Sequence, residues 1–157
     1  MDWDLLLRIF RALDEHKVRY VLVGAVALAV RGIPRATENV DFFVEPDEEN
    51  IKALINALGT IWNDPEISNI KTADLAGDYP VVRYGPPDQS LLIDLIARLG
   101  AAFEYKDLSF ETVVKEGVPI RVATPRTLFD MKKGTTRDQD RADAAALREK
   151  FGLSEGG

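Results

Sequence analysis

Residues 20–45 read YVLVGAVALAVRGIPRATENVDFFVE, and two apolar runs in this segment flank a short helical stretch. The first run, residues 20–23, predicts a buried strand. Gly24 breaks that strand, and residues 25–31 have helical composition. The segment Gly32-Ile33-Pro34 should end the helix, because glycine suits the C-terminal cap and proline cannot continue a helix.

The second apolar run, residues 39–44, predicts another strand. Alternate side chains share a face of a strand, so Asn39 and Asp41 should point one way while Val40 and Phe42 point into the core. A carboxylate on a rigid strand, facing a glycine turn at a helix N-terminus, suits a metal-bound phosphate.

Length and composition predict a single cytoplasmic domain. The chain has 157 residues, of which 46% are hydrophobic and 29% charged, as in ordinary globular proteins. It lacks cysteine, which excludes disulfides, thiolate zinc sites and cysteine nucleophiles. The formal charge of −6 argues against general nucleic-acid binding, and no apolar run approaches a membrane span. We predict one domain over residues 1–151, a flexible tail over 152–157, and no membrane partner.

The remaining sequence predicts an α/β fold with a small twisted mixed β-sheet and helices mainly on one face. A hairpin formed by residues 81–84 and 91–96 should lie beside the strand that carries Asp41. Two segments are ambiguous, since residues 67–75 and 101–107 fit either a helix or irregular structure. The other predicted elements are helices over residues 3–15, 47–59, 125–133 and 137–151, a break at 134–136, and extended segments over 110–114 and 120–123.

Asp94 stands out because it lies within the apolar run LLIDLI, residues 91–96. A carboxylate there is costly to desolvate unless it is paired, hydrogen-bonded or bound to metal. The simpler interpretation is an aspartate that faces solvent at a sheet edge.

These motifs resemble the nucleotidyltransferase superfamily related to DNA polymerase β, above all the small bacterial branch with abortive-infection and toxin–antitoxin enzymes. That branch has Gly-Gly or Gly-Ser after the first strand and Arg-x-Thr-x-Asp-x-Asp on the second. Here the first motif reads Gly24-Ala25, and the second reads RATENVD over residues 35–41. Two positions depart from the pattern, since Ala25 replaces the second small residue and Asn39 replaces the first aspartate.

The resemblance implies that the positions of Asn39, Asp41 and Asp94 form the catalytic and metal-binding set. In the family, three carboxylates at these places bind two Mg²⁺ ions, with Mn²⁺ as an alternative, and the ions hold the NTP and activate the acceptor. Asn39 removes one anionic ligand, although its amide oxygen can still coordinate a cation.

The resemblance also implies a nucleotide-binding set of Gly24, Ala25, Arg35, Thr37 and Lys132. Lys132 matches the lysine that reaches the triphosphate, with Lys133 as its neighbour. Alternatively, Thr37 is a turn residue, Arg35 is a surface charge, and the lysines close a helix against its dipole. Downstream, Arg137-x-x-Asp140-x-x-Asp143 matches a family helix in which Gln139 takes the place of a lysine, and Asp140 is expected to orient or cap that helix.

The implied function is metal-dependent transfer of a nucleoside monophosphate from an NTP to an acceptor hydroxyl or phosphate. The acceptor could be a tRNA, a protein or a small molecule such as an aminoglycoside, and a cognate antitoxin or partner protein is a further expectation. The alternative is a catalytically degraded member that binds a nucleotide or a partner protein without turnover, which Asn39 supports. A third explanation is that Asn39 was introduced to hold an inactive form.

Overall fold

A six-stranded mixed β-sheet forms the centre of the computed structural model, which describes residues 1–133 and 137–154. A separate two-stranded sheet consists of the short strands β5 and β6. The strands are β1 Tyr20–Val23, β2 Asn39–Val44, β3 Val81–Tyr84, β4 Leu92–Ile96, β5 Arg98–Leu99, β6 Phe103–Glu104, β7 Phe110–Lys115 and β8 Val118–Ala123.

Five α-helices occur in the described part of the chain, together with short 3₁₀ segments. The helices are α1 Trp3–Glu15, α2 Gly24–Val30, α3 Glu48–Gly59, α4 Pro125–Lys132 and α5 Asp138–Phe151. The 3₁₀ segments are Pro65–Asn69, Thr72–Leu75 and Tyr105–Asp107. No described helix has both the length and the apolar character needed to span a membrane.

The order of strands in the large sheet is β3-β4-β2-β1-β8-β7. Strand β2 is antiparallel to β1 and parallel to β4, and β1 is parallel to β8. The hairpins β3–β4 and β7–β8 close the two edges. This order confirms the predicted α/β class with a mixed sheet, and it confirms the hairpin beside the strand of Asp41.

The core on one face of the sheet explains why β2 presents its polar residues on the other. The ring of Phe42 on β2 makes edge-to-face contacts with Phe10 of α1 at 6.0 Å and with Tyr20 of β1 at 5.4 Å between centroids. Because side chains alternate along a strand, packing of Phe42 against α1 turns Asn39 and Asp41 to the opposite face.

Local signals in the sequence account for the helix ends. Asp2 and Asp47 accept hydrogen bonds from the backbone N–H groups of residues three positions later, which caps α1 and α3. Thr124 caps α4 in the same way ahead of a proline at the first position. Helix α2 ends at Val30, and Gly32 has φ of +88°, a left-handed conformation that favours glycine.

The two ambiguous segments resolve into short structures. Residues 67–75 contain the end of one 3₁₀ segment, a two-residue link and a second 3₁₀ segment, and residues 101–107 contain the strand β6 followed by a 3₁₀ turn. Strand β8 begins at Val118, two residues before the extended segment predicted over 120–123, and its first two residues pair with β7. The predicted break at 134–136 and the end of the predicted tail, 155–157, lie outside the described residues.

Candidate active site

Asp41 lies directly over the turn between β1 and α2. It pairs with Val23, the last residue of β1, and this register places its side chain above Gly24. Gly24 has φ of +73°, and a Cβ atom at this position would lie 3.0 Å from Asp41 Cγ and closer still to Oδ2. Two independent features therefore require glycine at position 24, namely the backbone conformation and the carboxylate above it.

Replacing Gly24 with Ala should destabilise the protein and displace the Asp41 carboxylate. The left-handed conformation alone costs an L-residue roughly 1–2 kcal/mol, and the collision with Asp41 adds to it. The matched control is Gly59→Ala, because a Cβ atom at Gly59 in α3 has no neighbour within 4 Å. We expect a lower melting temperature for Gly24→Ala only, and equal melting temperatures for the two variants would contradict this account.

Asp94 is the direct neighbour of Asp41 across the parallel pair β2–β4. It is 6% exposed. Burial of Asp41, together with the charge of Asp94 and a hydrogen bond with it, raises the pKa of Asp41 from 3.8 to about 6, against the smaller opposing effects of Lys132 and Arg83. The negative charge of the pair is thus incompletely neutralised by the protein, and an additional cation there would be stabilising.

Asn39 contributes its side chain to the same site. Its Nδ2 donates a hydrogen bond to Asp94 Oδ2 at 3.4 Å, so the amide points towards the carboxylates. Thr37 supports this position from the preceding turn, since its hydroxyl accepts from the Asn39 N–H at 3.1 Å and donates to the Asn39 carbonyl at 3.2 Å. These contacts are typical of a turn residue, one of the two roles expected for Thr37.

Arg83 is a residue of this site that the sequence analysis did not identify. It lies opposite Asp94 in the β3–β4 hairpin. Its Nε donates to Asp94 Oδ1 at 2.7 Å and its Nη2 donates to Oδ2 at 3.1 Å. An arginine on the strand before Asp94 was the only available signal, because the register of the hairpin is needed to pair the two.

A second charged cluster joins α4 to α5 through Lys132. Its Nζ lies 3.1 Å from Asp140 Oδ1 and 3.0 Å from Asp143 Oδ2. Asp143 is 3% exposed. Asp143 also forms an ion pair with Arg35, whose Nη1 lies 3.3 Å from Asp143 Oδ1, and it accepts a hydrogen bond from Gln139 Nε2 at 3.0 Å. The favourable electrostatic effect of Lys132 on the ionised Asp41 links this cluster to the carboxylate pair.

The structure thus brings most of the predicted site residues together. Asn39, Asp41 and Asp94 share one face of adjacent strands above Gly24, while Arg35 and Lys132 meet at Asp143. Ala25 lies in the first turn of α2 and is partly buried. Asp143 and Gln139 were noted in the helix motif, but the contacts of Asp143 with Arg35, Lys132 and Gln139 were not predicted.

The donor set suits a divalent cation of the oxygen-preferring kind. Two adjacent carboxylates are ligands that Mg²⁺ and Mn²⁺ accept, and the Asn39 amide oxygen would be a third once the amide turns its Nδ2 away from Asp94. Within residues 1–133 and 137–154, no group of three or more His, Cys, Asp or Glu side chains is arranged to hold a metal. The carboxylate set therefore stops at Asp41 and Asp94, with Asn39 at the third position.

Comparison with known families adds an independent observation. The family model described as nucleotidyl transferase AbiEii toxin, type IV TA system, matches residues 4–142. No curated protein matches the sequence.

Several solved structures share the fold. A proposed nucleotidyltransferase from Thermotoga maritima is 12% identical, with a TM-score of 0.57 over 95% of this chain and 91% of its own. ANT(2″)-Ia in complex with adenylyl-2″-tobramycin is 13% identical, with a TM-score of 0.57 over 94% and 88%. A nucleotidyltransferase-like protein from Paracoccidioides brasiliensis is 17% identical, with a TM-score of 0.55 over 94% and 75%. At such identities the likeness shows the fold alone.

Proposed function

The chain belongs to the AbiEii nucleotidyltransferase toxin family of type IV toxin–antitoxin systems, and we propose that it transfers a nucleoside monophosphate from an NTP to an acceptor hydroxyl or phosphate. The observation that carries this proposal is the pair Asp41–Asp94 above the glycine turn, with Lys132 acting on it electrostatically. A buried carboxylate directly beside a partly buried one, with a lysine acting on the pair, fits metal-assisted phosphoryl chemistry.

Asp41 and Asp94 would hold the divalent cation, with the Asn39 amide oxygen as a weaker ligand. A bound Mg²⁺ or Mn²⁺ ion would supply a positive charge that polarises the reacting phosphate. Gly24 allows close approach of a phosphate to the backbone where α2 begins. Lys132 would supply a cation for the triphosphate. Its ammonium has three N–H donors, and Asp140 and Asp143 face only two of them.

The acceptor falls into one of three classes, namely tRNA, protein or small molecule. A small-molecule acceptor is compatible with this fold, since the structure of ANT(2″)-Ia contains adenylyl-2″-tobramycin. The formal charge of −6 makes extended contact with nucleic acid less favourable than a local contact. The family description leads us to propose a cognate antitoxin as the functional partner, and a cytoplasmic location remains a prediction.

A second candidate function is nucleotide binding without turnover. Two observations favour it, because Asn39 supplies no negative charge and Asp94 is already paired with Arg83. Magnesium-dependent thermal stabilisation by an NTP, without label transfer to any acceptor in a cell extract, would identify this function. Stabilisation together with transfer would identify the enzyme.

The proposed function is tested by comparing Lys132→Met with Lys133→Met in nucleotide binding and transfer. Lys132 is partly buried beside the site, whereas the Lys133 ammonium lies 3.1 Å from Asp130 Oδ1 with 41% of its side chain exposed. A hydrogen bond to a charged group is worth roughly 1.5–3 kcal/mol, so Lys132→Met should raise the dissociation constant of Mg–NTP about tenfold or more. Calorimetry and a labelled-NTP assay measure both effects.

The two variants also control for each other. Each removes one positive charge from α4 or its C-cap, so a general charge effect would act on both. Lys132→Met additionally removes the ion pairs with Asp140 and Asp143, and melting temperatures must be measured alongside to separate loss of binding from loss of folding. Equal nucleotide affinities in two folded variants would contradict the proposed triphosphate site.

A further inference from the structure

Arg83 makes the most specific contact with Asp94, yet the proposed reaction does not use it. Its guanidinium approaches both oxygens of the carboxylate, with distances of 2.7 Å from Nε to Oδ1 and 3.1 Å from Nη2 to Oδ2. This two-point geometry is the strongest way in which arginine binds a carboxylate. Both oxygens of a proposed metal ligand therefore already face a positive charge.

The two partners differ in their freedom to move. Arg83 lies on β3, the edge strand of the sheet, and 57% of its side chain is exposed, whereas 9% of the Asp94 side chain is exposed. Asp94 lies on β4, between β3 and β2. Separation of the pair therefore requires the arginine to move out into solvent, and its long flexible side chain permits this.

We propose that Arg83 is a built-in counter-cation, which neutralises Asp94 while no divalent cation is bound and must leave Asp94 when the cation enters. This inference rests on the proposed function, because it takes Asp94 to be a metal ligand. Arg83 and the divalent cation then compete for the same oxygens. Metal alone should bind weakly to the free protein, since each binding event has to break the ion pair first.

The competition also predicts cooperativity between metal and nucleotide. Guanidinium binds phosphate oxygens with the same fork geometry that it uses for carboxylates. A triphosphate brought in with the metal would therefore give the displaced Arg83 a new anionic partner. The nucleotide should then lower the dissociation constant of the metal, and part of that coupling should depend on Arg83.

The experiment is a calorimetric titration of the full chain with Mn²⁺ at pH 8, without nucleotide. Arg83→Met retains a long side chain but no charge, and its Mn²⁺ dissociation constant should fall roughly five- to tenfold, in the range expected for loss of a competing ion pair. Arg98→Met is the matched control, because Arg98 is 40% exposed and pairs with Glu104 at 2.9 Å. Its Mn²⁺ affinity should match that of the parent protein.

A second titration adds a non-hydrolysable NTP analogue. The analogue should tighten Mn²⁺ binding more in the parent protein than in Arg83→Met, an effect that a merely structural arginine would not produce. Equal Mn²⁺ affinities of the parent and Arg83→Met, or equal tightening in Arg83→Met and Arg98→Met, would overturn the counter-cation role alone. Absence of Mn²⁺ binding in every variant, with and without the analogue, would overturn the proposed metal site and this inference together.

Discussion

Replacement of Asn39 with Asp should raise the rate of nucleotidyl transfer by roughly 10²–10³. A single well-placed electrostatic group in a catalytic site is commonly worth ~2.7–4 kcal/mol, which corresponds to that range of rates. The Asn39 side chain already points at Asp94, with Nδ2 at 3.4 Å from Oδ2. An aspartate in the same position would complete a set of three carboxylates and bind a cation more tightly than the amide does.

The same change should reduce stability when metal is absent. The amide of Asn39 donates a hydrogen bond to Asp94, whereas a carboxylate would repel both Asp94 and Asp41. We therefore expect a lower melting temperature for metal-free Asn39→Asp and a larger stabilisation by Mg²⁺ than in the parent protein. The repulsion accounts for the lower melting temperature, and the additional metal ligand accounts for the larger stabilisation by Mg²⁺.

The measurements are a labelled-NTP transfer assay against cell extract and thermal melts at several Mg²⁺ concentrations. Asn63→Asp is a suitable control, because Asn63 is exposed and the substitution changes the net charge by the same amount. If Asn39→Asp behaves like Asn63→Asp in both assays, position 39 does not bind metal. Nucleotide or partner binding without turnover would then describe the protein better.

Local patterns in the sequence were sufficient to predict most of the framework. The alternation in residues 39–44 indicated which face of β2 is polar, and packing of Phe42 against Phe10 and Tyr20 explains that choice. Capping residues and glycines marked the helix ends because their effects are confined to a few neighbouring residues. The resemblance supplied the expected role of Asp94 as a third member of the metal-binding set, which hydrophobic periodicity alone would not have given.

The contacts that neutralise the carboxylates of the site could not be predicted from the sequence, because they depend on how distant segments pair and pack. Arg83 meets Asp94 only in the observed pairing of β3 with β4. Arg35 reaches Asp143 across more than a hundred residues, and that contact requires the packing of α5 against the rest of the site. The sequence alone does not identify the partner of a charged residue on an exposed strand, because the pairing of the strands decides which residue lies beside it.

The stability of the metal-free protein should decrease as the pH rises through about 6, and Asp41 should account for the decrease. The pKa of Asp41 is raised from 3.8 to about 6, mainly by burial and then by Asp94. The folded state therefore binds a proton that the unfolded state has already lost between these two values. The stabilisation by this proton is fully present below about pH 4 and is lost as the pH rises through about 6. At 1.36 kcal/mol per pKa unit, it contributes roughly 3 kcal/mol to the free energy of unfolding.

Asp41→Asn should therefore be more stable than the parent protein at pH 8, by up to the same amount, and the difference should shrink towards pH 4. Urea unfolding at pH 4, 6 and 8 measures it, provided that metal is removed with a chelator. Asp88→Asn provides a contrast of opposite sign, because hydrogen bonds from Ser90 lower the pKa of Asp88. Loss of that carboxylate should be unfavourable at pH 8.

Added Mg²⁺ should reverse the pH trend in the parent protein. A cation binds the ionised form of Asp41, so the stabilisation by Mg²⁺ should increase as the pH rises through 6 and should be largely absent in Asp41→Asn. The metal-free stability of the parent protein should fall between pH 4 and 8 relative to that of Asp41→Asn. If it does not, the pKa of Asp41 is not raised by its surroundings. A Mg²⁺ effect of equal size in both proteins would place the cation away from Asp41.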